Sequence, residues 1–140
     1  MTKIRLDELK AALEQRRPAV DRSEADYKRR LVAEVKALGG HARRIEDRWA
    51  VGVLDMIIKF PDHNVVMAEG KVIDGFLFAP SPSQYLEGLK WQAVHVQCVL
   101  IGWKHRQMYI SPWVEKADCR ECFMRIGLSG AEMLQEYLKK

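Results

Sequence analysis

The stretch Val51-Gly-Val-Leu-Asp-Met-Ile-Ile-Lys-Phe60, Pro61-Asp-His-Asn64, Val65-Val-Met-Ala-Glu-Gly-Lys-Val72 decides the fold. Two runs rich in strand-forming residues flank a cluster of turn formers, so the pattern predicts a β-hairpin. A strand alternates faces with period two, so Glu69 and Lys71 project on the same side of the second strand. A three-residue loop at Pro61 to His63 pairs Phe60 with Asn64 and, continued, sets Asp55 directly across from Glu69. A two- or four-residue loop instead pairs Asp55 with Gly70 and turns Glu69 to the other face. The odd register, or a bulge, therefore decides whether two carboxylates and a lysine converge.

Before the hairpin, Ser23 can cap the free amides of a helix, with Asp26 three residues on and Gly39-Gly40 as its end. Tyr27, Leu31, Val35 and Leu38 form its apolar stripe, and Glu24 lies within roughly 20° of Leu31 on a helical wheel, while Glu34 sits about 60° off that stripe. A carboxylate is thus in line with the core-facing side. Further upstream, Ile4, Leu6, Leu9, Ala12 and Leu13 predict a short amphipathic helix over residues 3–17, closed by Pro18.

After the hairpin, Asp74-Gly75 and Pro80-Ser-Pro-Ser83 mark a loop that starts a helix near Gln84, running to about Ala93. Val94 to Ile101 reads as a buried strand and Gln107 to Ser111 as its neighbour, a strand-helix-strand order that suggests a crossover. Ser129-Gly-Ala-Glu132 has capping-box spacing ahead of Met133, Leu134, Tyr137 and Leu138. The 140 residues read as one domain, with a core over about 23–111, the N-terminal helix at 3–17 and a helical tail at 115–139.

Composition narrows the class. Apolar residues at 48% and charged residues at 30% describe a globular chain, too rich in core formers for disorder and too interrupted by charge for a membrane span. The charged N-terminal stretch lacks the apolar block of a signal peptide, and three cysteines are too few for a disulfide framework, so the expected compartment is the cytoplasm. Lys and Arg total 23 against 19 Asp and Glu, and a net charge of +4 permits a polyanionic partner. There is no phosphate-binding glycine loop, no nucleophile elbow and no HxxxH spacing among the histidines.

The hairpin carries the chemistry. Asp55 and Glu69 lie within apolar runs, where an unpaired charge is costly unless something compensates it. Two close carboxylates repel unless a cation sits between them, and a hard oxygen set with water in the remaining positions suits Mg²⁺ or Mn²⁺. Such a metal activates water and stabilises a phosphoryl oxyanion, while an adjacent ammonium orients the water or neutralises developing charge. That is the chemistry of phosphodiester hydrolysis.

Gly52-Val-Leu-Asp55, Glu69-Gly-Lys71, the acidic helix at Glu24 and Ser83-Gln84 opening a later helix resemble the motif order of PD-(D/E)XK nucleases, specifically the small stand-alone VRR-NUC type. The resemblance covers roughly residues 23–110. It implies a restriction-endonuclease-like α/β fold, a mixed β-sheet flanked by helices with an αβββαβ core, here carrying extra N- and C-terminal helices. It also implies Mg²⁺- or Mn²⁺-dependent cleavage of DNA, often at branched or structured sites. By that resemblance Asp55, Glu69, Gly70 and Glu24 would hold the metal, Lys71 would be the catalytic lysine and Gln84 would complete the site. Leu54 stands where the family usually has proline.

Lys28, Arg29, Arg43, Arg44 and Arg48 are the expected phosphate contacts, with Arg43 and Arg44 preferred because they precede the Asp55 strand; Trp49 could stack on an unpaired base. The apolar run Phe76-Leu-Phe78 in a loop and the terminal helices suggest a homodimer. Two rivals use other features. A catalytically silent nucleic-acid-binding module needs only the basic face, and a protein-interaction module with a structural zinc would use Cys119-x-x-Cys122 with Cys98, His95 or His105.

Overall fold

A computed structural model describes residues 21–45 and 52–140. The expected helix at 3–17, Arg48 and Trp49 lie outside the described residues. In chain order the elements are α1 (Glu24–Ala37), β1 (His41–Arg44), β2 (Met56–Lys59), β3 (Val66–Val72), β4 (Leu77–Phe78), α2 (Pro82–Ala93), β5 (Gln97–Lys104), β6 (Gln107–Pro112), β7 (Ala117–Asp118), a 3₁₀ turn (Cys119–Glu121) and α3 (Gly130–Leu138).

Five strands form one mixed sheet in the order β1-β2-β3-β5-β6, and β4 pairs with β7 in a small second sheet. Among the described residues only β3 and β5 run parallel, and α2 lies on the chain between them. The other neighbours are antiparallel. β5 is buried along nearly its whole length, as a central strand covered on both faces must be.

Each face of the sheet has its own core. On one side Tyr27, Leu31 and Val35 of α1 and Ala131, Met133 and Leu134 of α3 pack on Met56, Ile58, Val99 and Ile101. On the other, Leu54, Met67, Leu100 and Cys98 meet Phe78, Trp113 and Ala117, with Tyr85 of α2 against them. Full burial of each Leu or Ile contributes about 1.5–3 kcal/mol, so these two layers hold the sheet from both sides.

Helix ends follow their local chemistry. Ser23 accepts from the Asp26 amide at 3.1 Å. At the other end Gly40 N–H donates to Val35 O and Gly39 N–H to Lys36 O, both at 3.0 Å, with Gly39 at φ 83°, a Schellman stop that only glycine enters without strain. Leu38, expected in the apolar stripe, is the C-cap and is exposed. In α3 the expected Ser129–Glu132 capping box is present.

Three segments differ from expectation. α2, expected to start near Gln84, starts at Pro82 and is capped by Ser81, whose Oγ accepts from the Gln84 backbone N–H. Strand β5 starts at Gln97, because Val94 ends α2 and His95 takes φ 68°, and it continues past Ile101 to Lys104. The segment 115–139, expected as a helical tail, first forms β7 and the 3₁₀ turn and becomes helical only at Gly130. The Phe76 to Phe78 loop is partly absorbed: Phe78 is buried in β4, while exposed Phe76 lies under the Arg120 guanidinium (4.2 Å) and the Lys104 ammonium (4.9 Å). No helix among the described residues is long and apolar enough to cross a membrane.

Candidate active site

The β2–β3 register pairs Met56 with Ala68 and Ile58 with Val66, so one step further sets Asp55 opposite Glu69, the odd register. There the backbone ladder stops. Asp55 N–H donates to Glu69 Oε2 at 3.1 Å, and Gly70 N–H donates to Asp55 Oδ2 at 3.2 Å. Side-chain carboxylates thus take the places of two ladder rungs, while Asp55 O accepts from Ile45 N–H at 2.7 Å and keeps this part of the chain beside the end of β1. The strands part at this point, and the carboxylates fill the gap. That is why β2 is only Met56–Lys59 although the apolar run began at Val51.

Alternation assigns the faces. Met67, Glu69 and Lys71 share the side of the sheet covered by α2, and Ala68 and Gly70 share the side covered by α1. Lys71 Nζ lies 3.4 Å from Glu69 Oε1. From the opposite side Lys28, on α1, reaches Asp55 Oδ2 at 2.5 Å and Glu24 Oε2 at 3.0 Å. Its stem crosses the bare Cα of Gly70, where a methyl group would stand 3.3 Å from Lys28 Cε and 2.5 Å from the Trp103 ring. Trp103 is in turn held by stacking on Tyr27, centroids 5.2 Å apart. Gly70→Ala should therefore lower stability by about 1–3 kcal/mol through overpacking. An unchanged midpoint in chemical denaturation would contradict this fit.

Burial sets the electrostatics. Glu69 has no solvent exposure, and its carboxyl is pushed up to about 8 by burial and by the Asp55 charge and hydrogen bond, with Lys71 and Lys28 pulling the other way. For Lys28, burial favours the neutral amine, yet the Asp55 and Glu24 carboxylates together outweigh it and raise its pKa. Glu69 Oε1 is buried without a hydrogen-bond partner, since Lys71 stands close but not in hydrogen-bonding alignment. A buried carboxylate oxygen left in this state, next to a second carboxylate, fits a hard cation. The Gly70 amide facing Asp55 turns that peptide edge toward the same gap. Among the described residues no cluster of three or more His, Cys, Asp or Glu assembles, so the protein would offer Mg²⁺ a small carboxylate set with water or phosphate completing it.

The structure therefore brings together Asp55, Glu69, Gly70 and Lys71, while Glu24 stands outside that group and is joined to Asp55 through Lys28. Glu34 is instead directed to Arg30, 3.7 Å away. Gln84, expected to complete the site, has its Oε1 accepting from Ser81 N–H at 2.9 Å and belongs to the α2 capping box. Lys28, expected at phosphates, is turned inward because Gly70 leaves room for its stem. Arg29 is exposed and pairs with Asp26 at 3.0 Å. Arg43 pairs across the ladder with Ile57, which puts it on the face of Asp55 and Glu69; Arg44 pairs with Met56 and faces the α1 side. The inward lysine is the residue that sequence reasoning missed. Its signals were the i, i+4 spacing from Glu24 and a glycine inside a strand.

Among the described residues the cysteines assemble no zinc set. Cys122 Sγ donates to Asp118 O at 3.2 Å and Cys98 Sγ to Gly88 O at 3.6 Å, and burial pushes both thiols up to about 11.

No family model matches the chain. No curated protein matches it either. Among solved structures it is similar to the 1.6 Å structure of Archaeoglobus fulgidus Hjc, a Holliday junction resolvase from an archaeal hyperthermophile. The TM-score is 0.59 and the identity 14%, over 77% of this chain and 97% of that chain. The fold is restriction-endonuclease-like, a five-stranded mixed sheet flanked by helices.

Proposed function

We propose that this chain is a divalent-metal-dependent DNA endonuclease that hydrolyses phosphodiester bonds in branched or otherwise structured DNA. The observation that carries the proposal is the fully buried Glu69, with one oxygen unsatisfied, beside Asp55 and Lys71 where β2 and β3 part. The sheet holding them resembles that of a Holliday junction resolvase, which favours the junction-resolving type over other nucleases. The motif order favours the VRR-NUC branch.

Asp55 and Glu69 would hold Mg²⁺ or Mn²⁺, with the Gly70 peptide and Glu24 beside them. The ion, when bound, supplies an acidified water and neutralises charge on the scissile phosphate. Lys71, partly buried beside Glu69, is placed to orient that water and to offset the oxyanion charge. Glu24 lies at the open end of the site, tied to it through Lys28. Arg43 and Arg29 would contact phosphates on either side of the scissile bond. Gln84 would act only by giving up its capping bond to Ser81. Resolution of a symmetric junction needs two cuts, so a homodimer would supply the second site. The free thiols Cys98, Cys119 and Cys122 accord with the reducing cytoplasm.

The test is a panel of linear, single-stranded, flapped and four-way DNA incubated with Mg²⁺ or Mn²⁺. Cleavage of the branched members is the expected result. Binding without cleavage under either metal would support the silent binding module instead. Lys71→Ala should slow cleavage by about 10²–10³-fold at saturating metal while metal affinity stays within a few-fold, because its role is on the water and transition state. Equal turnover would remove it from the mechanism.

A further inference from the structure

We propose that the Lys28 ammonium is a built-in occupant of the cation position at Asp55, and that a divalent ion enters the site by displacing it. The inference rests on the metal-dependent reading above and adds a competitor that is part of the protein. Lys28 does not come from the sheet or from the Glu-x-Lys pair. It arrives from α1, on the far side of the sheet, through the opening that Gly70 leaves.

Asp55 Oδ2 already has two donors, the Gly70 amide at 3.2 Å and the Lys28 ammonium at 2.5 Å. Glu69 Oε1, by contrast, has none. An ion shared by the two carboxylates must take up Asp55, and a dication and an ammonium repel one another when both are held against one carboxylate in a partly buried site. One of them has to leave. The ammonium has somewhere to go, because Glu24 Oε2 is 3.0 Å from Nζ and the Glu24 side chain is 40% exposed. A small turn of the long lysine stem would keep the Glu24 pair and release Asp55, moving the positive charge toward the mouth of the site, where a phosphate would arrive.

The arrangement also accounts for how the metal-free site keeps its shape. The Lys28 ammonium compensates the charge of the partly buried Asp55 carboxylate and, with the Gly70 amide, fixes its Oδ2 in the gap between the parted strands. Lys28 is therefore a positioning residue that holds Asp55 ready and makes metal binding weaker than the carboxylates alone would give.

The experiment titrates Ca²⁺ and Mn²⁺ by calorimetry into metal-free protein, into Lys28→Met and into Asp55→Asn. Methionine keeps an unbranched stem against Gly70 and Trp103 but carries no charge. The expected result is at least tenfold tighter binding by Lys28→Met than by the unaltered protein, with binding lost in Asp55→Asn. A purely structural role for Lys28 predicts equal or weaker binding by Lys28→Met, and that result overturns the proposal. A second measurement needs no variant: acylation of Lys28 by an amine-reactive reagent, mapped by peptide mass, should rise when Ca²⁺ saturates the unaltered protein. Unchanged labelling on saturation overturns the displacement even if Lys28→Met does not fold. Absence of Ca²⁺ and Mn²⁺ binding by both the unaltered protein and a folded Lys28→Met would overturn the metal reading itself. Binding by the unaltered protein without tightening in the variant would overturn only the inference about Lys28.

Discussion

Asp55→Asn should reduce Mg²⁺-supported cleavage by about 10³-fold while leaving DNA affinity within about twofold. The amide is the same size and can still accept from the Gly70 N–H, so the parted end of the β2–β3 ladder keeps its shape. What it loses is the charge. Asparagine cannot bind a hard cation as a carboxylate does, and the amide oxygen that takes the place of Oδ2, 2.5 Å from the Lys28 ammonium, carries no net charge. DNA affinity at a given salt depends on cations facing phosphates, and Arg29 and Arg43 are untouched by the change. Single-turnover cleavage with excess protein reads the first effect, and fluorescence anisotropy in Ca²⁺ reads the second. A rate like that of the unaltered protein would remove Asp55 from the site, whereas a parallel loss of affinity would mean that the substitution had disturbed the DNA-binding surface.

The hairpin was legible because strand periodicity and turn composition leave few registers, and the odd one is observed, Met56 opposite Ala68 and Ile58 opposite Val66. The α1 cap at Ser23 and the Gly39-Gly40 stop were legible for the same reason: capping is local chemistry. Lys28 was not, since a lysine among arginines on a helix reads as a solvated face until its opposite wall is known. That wall is Gly70 and Trp103, far apart in sequence and joined only by the parallel β3–β5 pairing, which sets Gly70 beside Ile101 and Lys71 beside Gly102. The capping role of Gln84 was not legible either: two serines flank Pro82, and the first of them, Ser81, is the N-cap, which makes Gln84 the reciprocal partner of the capping box. The small β4–β7 sheet was also hidden, because its strands are two residues each and pair across a long stretch of chain. Sequence pattern thus carries local geometry and one hairpin register, while the contacts across the sheet depend on the tertiary fold.

Glu69→Gln should make the metal-free protein less sensitive to alkaline pH, and the sign follows from the direction of the shift. Unfolded, Glu69 releases its proton near 4.5; folded, it holds it to about 8, because burial and the neighbouring Asp55 disfavour the charged form. Between those values the folded state binds more protons than the unfolded one, so stability falls as pH rises, by at most about 1.4 kcal/mol per pH unit. Above about 8 both states are ionised and the penalty becomes constant. Because Asp55 and Glu69 interact, the apparent value belongs to the pair, and the slope is shared between them. Glutamine stays neutral at every pH and can still accept from the Asp55 N–H, so it removes the penalty without opening the gap between the strands. The difference in Tm between Glu69→Gln and the unaltered protein should therefore grow in favour of the variant from pH 5 to pH 8. Taking that difference cancels the titration of distant groups such as Asp21, whose carboxyl is unaffected by the substitution. Saturating Ca²⁺ should then restore the unaltered protein at pH 8 and leave Glu69→Gln almost unmoved, since a bound dication compensates a charge that only glutamate carries. Parallel Tm profiles across that range would mean that Glu69 ionises as an ordinary carboxylate, and the case for a cation site built on its buried oxygen would lose its electrostatic ground.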